Sequence, residues 1–292
     1  MKSSVSLTYD PDIGSAIKSA FEHLQDLEGV FRGKQVAIKP NDTWASPRDL
    51  TPCTQADTLR AVIRRVKEYH PKSIVVSGGA GAAETGDIFR YLGLDTVIEE
   101  EGVEFFDHNR PPFVAVPLEY GPQREVMVNQ RVLEYETLVS LAQLKVHDSA
   151  TVTLTMKNIA LSYPAADYYG HPRSRRMHHH SIFKDLHTFI AGMCRRFPIH
   201  LGIIAGHPAM IGEGPIGGKT FETGLVIASR DCVAADAAGA KLLGAGRVQH
   251  IEDAEKLGVG TADLHSIRFM GMPLEEAVHT FREKAKSAAA YA

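Results

Sequence analysis

The order of apolar runs between residues 35 and 94 limits this chain to few architectures. QVAIKPN (35–41) is a short apolar run ending in a Pro-Asn turn. TQADTLRAVIRRVKEYH (54–70) places Leu59, Val62, Ile63 and Val66 on one helical stripe behind Thr54 as an N-cap. SIVVSGGAG (73–81) is a second apolar run entering glycines, and GDIFRYLGL (86–94) resumes a helix. Strand, helix, strand, glycine loop, helix is the grammar of a parallel sheet with right-handed crossovers. The expectation is an α/β protein with mostly parallel sheet(s) and crossover helices.

The rest of the chain extends that pattern. IGSAIKSAFEHLQDL (13–27) is a helix with Gly29 as its stop, and EFFDHN (104–109), FVAVPL (113–118), EVMVNQ (125–130) and TLVSLAQLK (137–145) are strand candidates, some forming an edge or antiparallel extension. YPAADYYGHPRSRRMHHH (163–180) has no apolar period and reads as a long loop. A helix over 181–197 capped by Ser181, strands at 199–206 and 224–229, and a helix over 231–244 opened by Asp231 follow. A helix near 250–257, a strand IRFMG and a helix from Pro273 to Ala290 complete the chain. At 292 residues the chain is read as two intimate α/β lobes, 1–140 and 141–292, or as one continuous domain over 1–292.

Open parallel sheets bind ligands at the carboxyl ends of their strands. Lys39, Asn41 and Asp42 end one predicted strand, and Lys145 and His147 close another. The stretch Thr151–Met156 reads as a half-buried strand or as the first turn of a helix, and Lys157 and Asn158 follow it. Either these polar groups converge on one crevice or they face solvent separately. Gly79 and Gly81 could cradle an anion after a strand, although the dinucleotide fingerprint GxGxxG is not met and Glu84 would repel a pyrophosphate. In GHPAMIGEGPIGGKT (206–220), Glu213, Gly214 and Gly217 form a second glycine stretch that suits close backbone approach to a ligand or a plain turn. It misses the phosphate-loop pattern by one residue before Lys219. His178, His179 and His180, with Arg173, Arg175 and Arg176 upstream and His187 beyond, are either candidate metal ligands or a solvated basic loop.

Composition narrows the function classes. A net charge of −3 gives no electrostatic reason to bind nucleic acid. The 3 cysteines are scattered, so neither a disulfide framework nor an iron–sulfur or zinc-ribbon pattern can be written. No run approaches the ~18 apolar residues of a membrane span, and MKSSVSLTYDPD lacks the apolar core of a signal peptide, so a cytoplasmic protein without membrane insertion is expected.

The order VAIKPN, KVH, TMKN, a histidine-led helix, GEGPIGG and SRDCVAADAAG resembles the domain of unknown function 362 family over nearly the whole chain. In that family an Asp-Gly pair usually precedes the glycine segment, where this chain has Gly206-His207, and many relatives carry ferredoxin-type cysteine clusters that are lacking here. More distantly the chain is similar to lactate racemases, which use a nickel-pincer nucleotide and carry a histidine followed ten residues later by a lysine. His147 and Lys157 have that spacing. The resemblance implies His147 as acid/base, Lys157 as covalent anchor and one of His178, His179 and His180 as metal ligand. The small glycines before the racemase lysine are replaced here by Leu154, Thr155 and Met156.

Three functions are therefore weighed. The leading one is an enzyme acting on a small anionic metabolite in an interlobe cleft, with Lys39, Lys145 and Lys157 as anion-binding groups and His147 as general acid/base near neutral pKa. Lys39, Asn41, Asn158, Gly79, Gly81, Glu213, Gly214 and Gly217 would line its ligand site. The alternatives are divalent-metal or nickel-pincer chemistry, and a non-catalytic ligand carrier docking on a separate redox partner. Homo-oligomer formation is left open.

Overall fold

One ten-stranded sheet is built from both halves of the sequence. The computed structural model describes residues 3–172, 177 and 182–290. The strands are β1 (Ser4–Tyr9), β2 (Gln35–Pro40), β3 (Ser73–Gly78), β4 (Glu104–Asp107), β5 (Phe113–Pro117), β6 (Glu125–Asn129), β7 (Thr137–His147), β8 (Thr151–Thr153), β9 (Leu201–Ile211), β10 (Lys219–Phe221), β11 (Leu225–Ser229) and β12 (Arg268–Gly271). The main order is β12-β1-β11-β9-β7-β2-β3-β4, with β8 on β7 and β10 on β9, while β5 and β6 form a separate hairpin. The run β9-β7-β2-β3-β4 is parallel throughout, and antiparallel pairing enters with β8, β10 and β11. The position near residue 140 lies inside β7, so the sheet continues through it.

Alternation along the central strands separates two cores. Val36, Ile38, Ile74 and Val76 face α1 (Ile13–His23), α2 (Leu27–Phe31), α3 (Ala56–Lys67), α4 (Thr85–Leu92) and α5 (Leu94–Glu100). Ala37, Val75 and Ala142 face the other way, towards α6 (Thr155–Ala160), α7 (Ala166–Tyr169), α8 (Leu186–Arg196), α9 (Cys232–Leu242), α10 (Gln249–Lys256), α11 (Leu274–Ala290) and the hairpin. A sheet covered on both faces explains why its strands read as continuous apolar runs.

Several local expectations are corrected. α1 stops at His23, and Gly29 lies inside the short α2 instead of ending a helix. Gln55 is the N-cap residue of α3; Thr54 instead accepts the Asn41 amide at 2.8 Å and donates to the Leu141 carbonyl at 3.2 Å, joining the end of β2 to β7. α8 begins at Leu186, and Ser181 is outside the described residues. β1 had no counterpart in the sequence reading: its partners β11 and β12 lie more than 200 residues away, beyond any local signal. Asp231 does cap α9, accepting the Val233 and Ala234 amides at 3.0 Å.

His207 ties two elements across the sheet. Its Nδ1 lies 2.6 Å from Glu222, just past β10, and its Nε2 lies 2.9 Å from Asp57 in the first turn of α3. The two carboxylates push the imidazole up to about 10, against the opposing effect of burial, and hydrogen bonding to His207 lowers Asp57. A raised folded-state value stabilises the protein fully below the unfolded pKa of 6.5 and ceases to do so as pH rises through about 10. The depressed Asp57 stabilises above its ordinary 3.8 and loses its contribution as pH falls. In urea unfolding, His207→Gln should cost about 1 kcal/mol between roughly pH 4 and 6.5, because both carboxylates are exposed. The difference from the parent should shrink towards pH 10.

Candidate active site at the carboxyl edge of the sheet

The parallel strands β2, β3 and β7 deliver their carboxyl ends to one edge, where a cavity of ≈ 240 Å³ opens. Its polar wall includes Lys39, Asn41, His147, Thr153, Lys157 and Asn158, with Gly79 and Gly81 beside them. Leu161, Met177, Phe183 and Pro215 supply an apolar wall. The structure thus brings together Lys39, Asn41, Gly79, Gly81, His147, Lys157 and Asn158 of the residues singled out in the sequence.

Lys39 is 1% exposed, and its ammonium donates to Asp42 at 2.6 Å, to the Pro40 carbonyl and to Asn158 Oδ1 at 3.4 Å. The other Asp42 oxygen accepts the Gly79 amide at 2.7 Å, so one carboxylate binds the ends of β2 and β3. Asn158 Nδ2 donates to the Lys39 carbonyl at 3.1 Å and to Ser140 Oγ at 3.1 Å, while its Oδ1 accepts from Asn41 Nδ2 at 3.2 Å. These bonds orient both amide groups and leave Asn41 Oδ1 as an acceptor.

The turn from β7 to β8 passes through Thr151 at φ 68°, and β8 pairs back along β7 for three residues. α6 then starts, so the ambiguous Thr151–Met156 stretch is first strand and then helix. The fully buried Asp236 of α9 accepts the Thr155 hydroxyl at 2.5 Å, the Thr155 amide at 2.8 Å and the Met156 amide at 3.0 Å. Burial pushes Asp236 up to about 7, opposed by these three bonds. Lys157 and Asn158 stand on the turn so fixed. Gly202 lets this turn approach β9, since a Cβ there would lie 2.9 Å from Thr155 Cγ2.

His147 differs from the sequence expectation of a near-neutral pKa. Burial first, then the charges of Lys157 and Lys145, push it down to about 2. The Ser149 and Ala150 amides approach Nδ1 at 3.1 and 3.3 Å, whereas Asp148 Oδ1 lies 3.0 Å from the same nitrogen. The two amides require a lone pair on Nδ1 and the carboxylate requires a proton there. With Asp148 69% exposed, the amides prevail and the ring proton resides on Nε2.

Lys145 takes a different place. It is fully buried, does not line the cavity and donates to the Pro52 carbonyl and, at 3.4 Å, to the Pro215 carbonyl. Burial lowers it to about 8. Glu213 and Gly217 are exposed and do not line the cavity, while Gly214 accepts the Asp148 amide at 3.1 Å and packs on Val146. His178, His179 and His180 lie outside the described residues, as do Arg173, Arg175 and Arg176. His187 contacts His250, Nδ1 to Nδ1, at 3.0 Å.

Thr153, Ser162 and Pro215 also line the cavity and were not singled out by the sequence, because isolated small residues carry no periodic signal. Asp236 did leave one: it is an acid inside the alanine-rich run CVAADAAGAKL, and a buried acid needs partners. Asp236→Ala should lower unfolding free energy by about 2–4 kcal/mol, since it strands two buried amides, and Asp236→Asn by less. Chemical denaturation at pH 7.5 checks this.

A thylakoid-associated protein of Synechocystis sp. is 25% identical over 237 residues, covering 77% of this chain and 69% of its own length. The lactate racemase apoprotein of Thermoanaerobacterium thermosaccharolyticum superposes with a TM-score of 0.52 at 13% identity over 82% of this chain, a likeness of fold. The chain spans 56% of the length of that racemase. No helix among the described residues is long and apolar enough to cross a membrane. Residues 36–241 match the domain of unknown function DUF362, and the chain belongs to that family.

Proposed function

We propose that the protein is an enzyme acting on a small anionic metabolite by lysine- and histidine-assisted acid/base chemistry. One observation carries the reading: Asn41 Oδ1 and Thr153 Oγ1, both buried in the wall that holds Lys157 and His147, have no hydrogen-bond partner among the described residues. Each unpartnered buried polar atom costs about 1–3 kcal/mol, which favours a ligand that supplies the missing bonds. Since Asn41 Oδ1 can only accept, that ligand carries a hydroxyl or amino donor beside its anionic group.

The roles follow from the chemistry of each group. Lys157, 8% exposed in the cavity wall, gives the anion its electrostatic anchor, while Lys39, its ammonium taken up by Asp42, the Pro40 carbonyl and Asn158, holds that wall in place. His147 offers a neutral Nε2–H to an oxygen at the reacting centre. In the opposite tautomer Nδ1–H donates to Asp148 and the Nε2 lone pair accepts a hydrogen bond, so one neutral ring serves as donor or as acceptor. Lys145 acts beneath the site by holding Pro215 in its wall.

His147→Ala and Lys157→Ala should each weaken the thermal shift produced by a panel of small carboxylates and phosphate by at least about tenfold in apparent affinity. Any turnover found should fall by about 10²–10⁴-fold. Folded variants that keep every parental shift and rate would refute the assignment. With His147 held at about 2, no inflection between pH 5 and 8 should disappear in His147→Ala; a lost inflection near 6.5 would contradict the neutral ring.

A second reading, a nickel-pincer nucleotide held covalently through Lys157, draws on the placement of His147 and Lys157 in one cavity. The described residues contain no group of three His, Cys, Asp or Glu side chains able to hold a metal ion, so this reading depends on His178, His179 or His180. Protein made in a nickel-replete host should then show a mass adduct and stoichiometric metal, and an unmodified intact mass without metal counts against it.

A further inference from the structure

Behind the cavity runs a line of four polar side chains. Tyr135 OH lies 2.9 Å from Ser77 Oγ, Ser77 Oγ lies 2.9 Å from His108 Nδ1, and His108 Nε2 lies 2.9 Å from Ser162 Oγ. Ser162 lines the cavity and donates to the Gly79 carbonyl at 3.0 Å. Ser77 and His108 are fully buried, and Ser162 is 5% exposed. A Cβ on Gly79 would come within 1.9 Å of His108 Nε2, so glycine is required for the imidazole to reach this position.

Ser162 has one hydroxyl proton, which goes to the Gly79 carbonyl, so it accepts from His108 Nε2–H. The Ser162 carbonyl, 3.2 Å from the same nitrogen, also requires a proton there. His108 Nδ1 therefore carries the lone pair of a neutral ring, accepts from Ser77, and Ser77 accepts from Tyr135. Every donor points towards the cavity. At the far end Tyr135, half-buried, lines an outer cleft of ≈ 130 Å³ together with Tyr163, whose buried hydroxyl has no partner among the described residues. Water entering this cleft would supply protons to Tyr135.

We propose that Tyr135, Ser77, His108 and Ser162 form a proton relay that connects the outer cleft to the cavity, with Ser162 as the group that meets the ligand. This rests on the acid/base reading of the cavity. The Ser162 hydroxyl turns from the Gly79 carbonyl and gives its proton to a base formed in the cavity, Ser162 takes the Nε2 proton of His108, and His108 Nδ1 takes the proton of Ser77. Ser77 takes that of Tyr135, and Tyr135 is reprotonated from water in the cleft. At each link one O–H or N–H bond breaks and one forms. The ring changes tautomer without becoming charged, and one proton is carried in. Tyr135, Ser77 and His108 are positioning residues, since none lines the cavity.

The test uses the full chain labelled with ¹⁵N-histidine and reads exchange of the His108 ring proton with water by NMR. The parent should show the proton on Nε2. Tyr135→Phe and Ser77→Ala should each slow its exchange by at least about tenfold. A merely structural network predicts the reverse, because removing a buried hydrogen bond loosens packing and speeds exchange. Unchanged or faster exchange in both variants, or a ring proton on Nδ1, overturns the relay. Titration of parent and Tyr135→Phe with inorganic phosphate, followed by thermal shift, keeps the two proposals apart. Absence of binding to the parent counts against the cavity's anion role, while the exchange rates still decide the relay.

Discussion

The buried pair of Lys39 and Asp42 is the constraint around which the site is arranged. Both side chains are almost fully out of water, 1% and 2% exposed, where an isolated charge would be costly. The pair persists because each partner is also hydrogen-bonded: Asp42 by the Gly79 amide, Lys39 by the Pro40 carbonyl and Asn158. Removal of one partner of such a pair typically costs about 3–5 kcal/mol, since the other charge is left buried. The pair joins β2 to the loop after β3, and Asn158 joins α6 to β2 and β7.

The electrostatic character of the cavity follows from that arrangement. Lys39, Lys145 and Lys157 crowd one edge of the sheet, and Asp42 neutralises only one of them. Burial lowers Lys145 to about 8, and burial with the neighbouring lysines holds His147 neutral. Neighbouring cations and burial together penalise an imidazolium. A neutral ring next to a cation keeps one acceptor lone pair beside its N–H, which a second positive charge would lack.

Much of the sheet was legible because β2, β3, β7, β9 and β11 are buried on both faces and therefore appear as largely apolar runs. β1 was not, since its half of the pairing energy comes from strands at the opposite end of the chain. Within the site, Lys39, His147 and Lys157 were legible as polar residues at the ends of apolar runs. Lys145 had the same signature, and only the packing of Pro52 and Pro215 around it shows that its ammonium is spent on carbonyls. Asp236 could be suspected from its apolar surroundings, but its task of holding α6 depends on a contact 80 residues away along the chain.

The sequence by itself determined the α/β architecture, its parallel centre and the edge at which chemistry could gather, because hydrophobic period and strand ends are local properties. The tertiary structure decided which polar residues share a cavity, which tautomer His147 and His108 adopt, and which lysine is reserved for structure. Those properties depend on desolvation and on hydrogen-bond partners brought in from distant strands and helices, and no local pattern of residue types encodes them.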